Sequence, residues 1–441
     1  MKKRIALSVV LSVLAVAAFA EISVSGQFDA ILVPLQILMQ KDPPPGQEEI
    51  TAGAGLGRDG STATPRARIG VVASDPDEKI GLNFKVQFNM HGDSGSTGSF
   101  RVAFDDFAEV WVKPIDWLRI DVGRFVNDTL RGKIGDDNWQ HYTLRMSDPD
   151  AIFSRFKGPA WDGTDGGGFL VSLTPVEGLF IGLGVPGMVS FRGSGTGFGS
   201  GRANETVEKL GYAYQRIQAG IGYNIKDIGL IRAQFVGSKP RVGLKEDGTF
   251  DISGGAIVAP KIEAAFAFTM IEGMVIDLGG KIPFSFSEWH EPVGIWDEEP
   301  DPHKGVTYQA PIQISLGAGF TAGDLDIKAR VDTKLAGYVE PDNGLKADLS
   351  PVVNFHLWPS YNLGFATLGV DMGLEIIGKA KLDGEEIDKT DGVRVGFGAW
   401  LKKSIGSCSV KGGLAYRVGT EVYGQNEHGA FTIPFVFETT F

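Results

Sequence analysis

The feature that most constrains the fold of this chain is an alternation of apolar and charged residues that recurs along its length. In residues 325–335 the apolar residues Leu325, Ile327, Ala329, Val331 and Leu335 oppose the ionisable residues Asp326, Lys328, Arg330, Asp332 and Lys334. A period of two is that of a β-strand with two different faces. Because five ionisable side chains on one face cannot lie in a dry core, that face must meet water. The apolar face must then meet a nonaqueous phase.

Similar segments recur often enough to predict a large all-β protein. Eighteen are found, at about 22–34, 66–74, 79–91, 103–113, 117–125, 167–174, 179–186, 209–224, 230–238, 255–271, 274–286, 307–321, 325–338, 345–357, 364–380, 391–403, 408–418 and 431–441. Most are near the length of about 9 to 11 residues that a tilted strand needs to cross a bilayer. The sequence after residue 20 has no run of 18 apolar residues, so helical membrane spans are excluded.

The connections between these segments alternate in length. Short links follow the even-numbered segments, for example residues 75–78, 113–116 and 359–362, and the links after odd-numbered segments are mostly longer and rich in Gly, Asp, Glu and Pro. Short turns on one side and long loops on the other are typical of a transmembrane antiparallel β-barrel. A soluble β-sandwich is the alternative for strands with this period. It would need the apolar faces to meet each other.

The N-terminal residues predict export. Residues 1–20 combine Lys2, Lys3 and Arg4, an apolar run, and a small-residue site at 18–20, which is the pattern of a cleaved signal peptide. Residues 21–441 then form the barrel. Removing residues 1–20 removes three basic residues and no acid, so the formal charge of −12 becomes −15, which argues against nucleic acid as a partner. Cys408 is the single cysteine, so no intramolecular disulfide forms.

The last segment ends on an aromatic residue. Phe431, Ile433, Phe435, Phe437 and the terminal Phe441 share one face of the predicted closing strand. This ending resembles the assembly signal of outer-membrane barrels, which implies the barrel assembly machinery as a partner and outer-membrane lipid as the surroundings.

The longest link, at about residues 126–166, follows the fifth segment and is therefore the third outer loop. In its position, and in barrel size, signal and terminal Phe, the chain resembles the bacterial porins of 16 to 18 strands. That resemblance implies a third loop folded into the lumen, passive diffusion of small hydrophilic solutes or ions, and a homotrimer. Residues 109–114, with 118–120 and 123–124, also resemble the second hairpin of spirochaete-type outer-membrane proteins.

A folded-in loop would place its charges opposite those of the wall and filter solutes by charge. The predicted constriction and pore-lining residues are Arg66, Arg68, Lys85, Arg119, Asp121, Arg131, Asp136, Asp137, Asp148, Asp150, Lys328 and Arg330. By alternation the inward residues include more Lys and Arg than Asp and Glu, which predicts a weak preference for anions. A solvated surface loop with no part in the lumen is the alternative.

No pattern predicts catalysis, a cofactor or a metal. Six histidines lie scattered through the sequence without the spacing of a catalytic triad. Two further functions remain open besides the porin. A substrate-selective channel, for sugars or fatty acids, would use the same lumen, and a surface adhesin or structural barrel would use its loops without transport.

Overall fold

A computed structural model of the protein describes residues 21–40, 48–57, 66–91, 99–124, 167–189, 217–237, 259–286, 306–335, 337–340, 345–419 and 427–441. The predicted signal peptide at 1–20 and the loop at 126–166 lie outside these residues. So do the loop residues Arg131, Asp136, Asp137, Asp148 and Asp150. No helix in the described ranges is long and apolar enough to span a membrane.

The described residues form β-strands almost throughout. In chain order the strands are β1 Glu21–Gln40, β2 Ile50–Gly57, β3 Arg66–Ser74, β4 Ile80–His91, β5 Ser99–Ile115, β6 Leu118–Arg124, β7 Gly167–Leu173, β8 Leu179–Val189, β9 Gln218–Ile225, β10 Gly229–Val236, β11 Lys261–Phe268, β12 Met274–Pro283, β13 Ser285–Phe286, β14 Thr307–Gln309, β15 Ile312–Ala322, β16 Leu325–Leu335, β17 Tyr338–Glu340, β18 Ala347–Asp348, β19 Val352–Asn362, β20 Thr367–Ile377, β21 Lys381–Leu382, β22 Glu385–Glu386, β23 Gly392–Ile405, β24 Cys408–Gly419 and β25 Glu427–Thr440.

Eighteen of these strands close into one antiparallel barrel, as the sequence predicts. Each barrel strand pairs with its neighbours in chain order, and β25 pairs with β1 from Gln27–Thr440 to Gln40–Glu427. The other edge of β1 is shared, because its first half pairs with β3 and its second half with β2. Closure leaves no free edge at this seam, so every barrel strand has a neighbour on both sides.

The short turns between barrel strands lie at the end where β1 begins and β25 ends. Adjacent turns are joined by backbone hydrogen bonds, such as Thr174 N to Trp117 O at 2.9 Å. An ion pair between Lys79 and Asp116 joins the first two turns. The hydrogen bond from Lys79 lowers the pKa of Asp116 and raises the pKa of Lys79. This end is therefore a compact rim.

Several details of the predicted strands are wrong, and the link predicted at 113–116 lies mostly inside β5. β2 is absent from the prediction because its sequence, ITAGAGLG, consists largely of glycine and alanine and has no alternation of large apolar and polar side chains. The link predicted at residues 359–362 lies inside β19, and the turn follows it. Pro359 is a predicted turn residue, yet it pairs opposite Ile327 within the sheet. A proline lacks only the N–H donor, so its carbonyl still serves one neighbour.

Six short strands extend part of the barrel beyond its long-loop end. β13, β14, β17, β18, β21 and β22 form a separate small sheet. The predicted segments ran without a break through this level, where the pairing is interrupted near Pro311 and Pro351. Because proline cannot donate to the ladder, it ends the regular pairing here. Tyr308, Val339 and Leu349 of the extension are buried in a small apolar cluster.

The terminal Phe441 completes the seam against a glycine of β1. Its N–H donates to the carbonyl of Gly26 at 2.9 Å, and its O accepts from the N–H of Gly26. A Cβ built on Gly26 would lie 2.2 Å from the Phe441 ring, so the ring rests on the glycine backbone. A side chain at residue 26 would force this ring, which is 78% exposed, to move.

Deletion of Phe441 is expected to reduce the assembled fraction more than the amount of protein made, because both backbone bonds and the ring contact are lost. Gly26→Val should produce a smaller defect, because the exposed Phe441 ring can move aside while both backbone bonds remain. The matched control is Gly53→Val, since a Cβ at Gly53 meets nothing within 4 Å. The measurement is heat-dependent migration in gel electrophoresis. Wild-type migration of both the Phe441 deletion and Gly26→Val would show that this contact does not matter.

Candidate functional site: the inner wall of the barrel

The barrel wall separates apolar and polar side chains onto opposite faces. On β15, Leu316 and Phe320 are 47% and 46% exposed, whereas Ser315, which precedes Leu316 and points to the opposite face, is 8% exposed. On β16, the charged residues Arg330 and Asp332 are 2% and 0% exposed. Exposed apolar groups on the outside and enclosed polar groups on the inside are the reverse of a soluble protein. The outside therefore suits hydrocarbon, and the inside is the polar lumen wall.

Arg66 and Arg68, both predicted pore residues, share one carboxylate. Arg66 contacts Asp29 Oδ2 at 2.7 Å through a terminal nitrogen, and Arg68 forms an ion pair with the same oxygen. Asp29 lies on β1, directly opposite Arg66 in the register. Both arginines are nearly buried. Asp29 is not among the predicted pore residues, although its alternation with Gln27 places it on the inner face of the first strand.

Arg119 and Asp121 are also brought together, on β6. Arg119 Nε donates to Asp121 Oδ1 at 2.7 Å, and its guanidinium lies 4.7 Å from the centre of the Trp111 ring. Glu109 is 3.7 Å from the same guanidinium and was not selected from the sequence. The Arg119 side chain is 37% exposed, so this cation is among the accessible charges of the wall. Lys85, on β4, is half-buried opposite Gly70.

Lys328 and Arg330 lie on β16 but differ in environment. Lys328 pairs with Asp326 at 2.9 Å, and its side chain is 38% exposed. Arg330 donates through Nε to Ser315 Oγ at 3.2 Å and contacts Asp332 at 2.9 Å. Since Arg330 is 2% exposed, its guanidinium contacts other groups rather than open water. Lys328 lies nearer the short-turn end of the barrel, and Arg330 lies deeper.

The predicted wall residues do not form one cluster. Arg66, Arg68 and Lys85 lie on β3 and β4, Arg119 and Asp121 on β6, and Lys328 and Arg330 on β16, which is separated from β3 around the closed sheet. A further charged group on β10–β12 was missed. There Lys261 and Lys281 lie 3.2 and 3.8 Å from Glu263. Alternation along each strand would have found these residues one by one, but only the register between strands brings them together.

A closed eighteen-strand barrel with an apolar outside and a polar, charged inside defines a transmembrane β-barrel channel, because a barrel of this size leaves an aqueous interior. A family model described as Gram-negative porin matches residues 6–282. This is more than half of the 441 residues. The chain therefore belongs to the Gram-negative porin family, and it is an outer-membrane channel for small solutes. No curated protein matches its sequence.

Solved structures of other channels have the same fold. OpdK of Pseudomonas aeruginosa, in a structure with vanillate, is 9% identical with a TM-score of 0.52, covering 95% of this chain and 98% of that one. OccAB1 of Acinetobacter baumannii is 10% identical with a TM-score of 0.52, covering 95% and 96%. An anion-selective porin from Comamonas acidovorans is 11% identical with a TM-score of 0.48, covering 96% and 100%.

Proposed function

We propose that this channel gives passive diffusion to small hydrophilic solutes with a weak preference for anions. The supporting observation is the charge of the inner wall on β10 to β16. Six basic residues lie there, Arg232, Lys261, Lys281, Lys328, Arg330 and Lys334, against four acidic ones, Glu263, Asp277, Asp326 and Asp332. The whole chain is acidic by contrast. A local positive excess raises the concentration of anions in a water-filled lumen.

The accessible pair Lys328 and Asp326 offers a matched test of this preference. The two side chains are 38% and 31% exposed and lie 2.9 Å apart. Lys328→Gln should move the reversal potential in a salt gradient toward cations, and Asp326→Asn should move it toward anions. Both variants should keep their stability within about 0.5 kcal/mol, as for other exposed substitutions. If neither variant moves the reversal potential, this wall does not face the conducting path.

We also propose that residues 126–166 lie inside the lumen and form its constriction. The support comes from the wall. Asp332, Asn354 and Asp371 are 0% exposed, and Leu170, an apolar residue on the inner face of β7, is 2% exposed. A segment folded into the lumen would cover such side chains. The link at 126–166 is the longest in the sequence, which favours it for this role.

The remaining proposals concern export and assembly. We propose that residues 1–20 are removed as a signal peptide, that Phe441 is read by the barrel assembly machinery, and that the channel is a homotrimer. Family membership supports the trimer, and the basic and apolar pattern of residues 1–20 supports the signal. Light scattering of the purified protein in detergent tests the trimer. A monomer mass would contradict it.

A further inference from the structure

A small niche lies in the inner wall where β10, β12, β15 and β16 come together. Its lining includes Arg232, Asp277, Ser315, Gly317 and Arg330. Arg232 and Arg330 are 3% and 2% exposed, so two nearly buried guanidinium groups border one space. Buried cations need compensating charge or hydrogen bonds, and each of these arginines has an acidic residue nearby, Asp277 and Asp332 respectively.

The register explains how the niche forms. Arg232 lies opposite Ala265 of β11, which lies opposite Gly279 of β12. Asp277 lies opposite Gly317 of β15, which lies opposite Arg330 of β16. Small residues therefore occupy the strands between the two arginines. The long side chains of Arg232 and Arg330 extend over these small residues from opposite sides and line the same niche.

The charges at the niche favour an anion over a cation. Arg232 lies 4.0 Å from Asp277 Oδ1, which is the carboxylate in the lining. Arg330 donates through Nε to Ser315 Oγ and Asp332 Oδ1, and it is one of the residues that line the niche. On the neighbouring strands, Lys261 and Lys281 share the single carboxylate of Glu263. The wall around the niche thus has more positive than negative groups.

We propose that this niche binds one small inorganic anion, of the size of a halide ion, between the guanidinium groups of Arg232 and Arg330. Guanidinium groups donate several N–H bonds in a fixed fork, which suits an anion between two of them. Charge interactions are stronger in an enclosed site than in open water. The niche then holds an anion on the wall of the conducting path. This inference rests on the anion preference proposed for the channel and deepens it.

The test is anomalous diffraction at the bromine edge from crystals of the full chain grown in sodium bromide. A bromide peak between Arg232 and Arg330 is expected in the wild type. It should disappear in Arg232→Gln/Arg330→Gln, which removes both donors. Because that variant may fold poorly after losing two buried cations, Gly317→Val is the second variant. It adds a side chain to the lining and leaves both arginines in place, and it should also abolish the peak.

Lys328→Gln is the matched control, since it removes a cation from the same strand outside the niche. Its bromide peak should be unchanged, although its reversal potential moves. The absence of a peak in the wild type, or a peak that persists in both niche variants, would overturn the proposal. The experiments distinguish failure of the anion niche from failure of the anion preference proposed for the channel. Anion preference without a bromide peak contradicts the niche alone, and a bromide peak lost in both niche variants supports the niche even if the channel prefers cations.

Discussion

Val331→Arg is expected to destabilise the folded barrel in lipid by about 2–4 kcal/mol. This is the cost of an arginine on the lipid face near the bilayer midplane. Val331 is the seventh of the eleven residues of β16. It lies between Leu316 and Phe355 in the register, and these are 47% and 42% exposed on the outer face. The substitution therefore places a charge among apolar groups that face hydrocarbon.

The measurement is the folding free energy of the barrel in lipid vesicles, from denaturant titration. Lys328→Gln is the matched control on the inner face of the same strand and should change it by no more than about 0.5 kcal/mol. Equal losses for the two variants would contradict a wall with one lipid face and one aqueous face. A β-sandwich with this strand reversed would then explain the alternation better.

Deletion of residues 136–150 is expected to raise the single-channel conductance well above that of the wild type. These residues form the middle of the loop that we place in the lumen, and the narrowest section of a channel limits its conductance. The variant should also admit larger uncharged solutes in a liposome-swelling assay. The wall residues Asp332 and Asn354, now buried, should become accessible to water.

A deletion of residues 190–204, which lie in the link predicted between the segments at 179–186 and 209–224, is the control and should leave conductance unchanged. A correctly folded 136–150 deletion with wild-type conductance would show that the loop does not constrict the channel. Heat-dependent migration establishes folding for both variants before their conductance is compared.

The barrel strands were predictable because one face of each strand meets lipid and the other meets water, so apolar and polar residues alternate along the sequence. β3 has the predicted bounds, 66–74, and β16 begins at the predicted residue, 325. In both, nearly every residue follows the alternation. Where small residues or proline occupy the strand, the alternation is weak. β2 and the interior of β19 at Pro359 were missed for this reason.

The contacts of the inner wall were less predictable than its composition. Alternation places Arg66, Arg68 and Arg330 on the inner face, but it does not give their partners. Asp29 reaches the two arginines of β3 because β1 lies beside β3, a result of the register. The niche at Arg232 and Arg330 depends on small residues in three intervening strands. A single sequence contains each of these residues without showing that they meet.

The central claim is that the barrel encloses a water-filled conducting path, and single-channel recording in a planar bilayer tests it most directly. Purified protein that shows the migration of a folded barrel should produce discrete current steps, with current proportional to voltage. Folded protein that inserts into the bilayer and yields no steps would contradict the account and favour an adhesin or structural barrel.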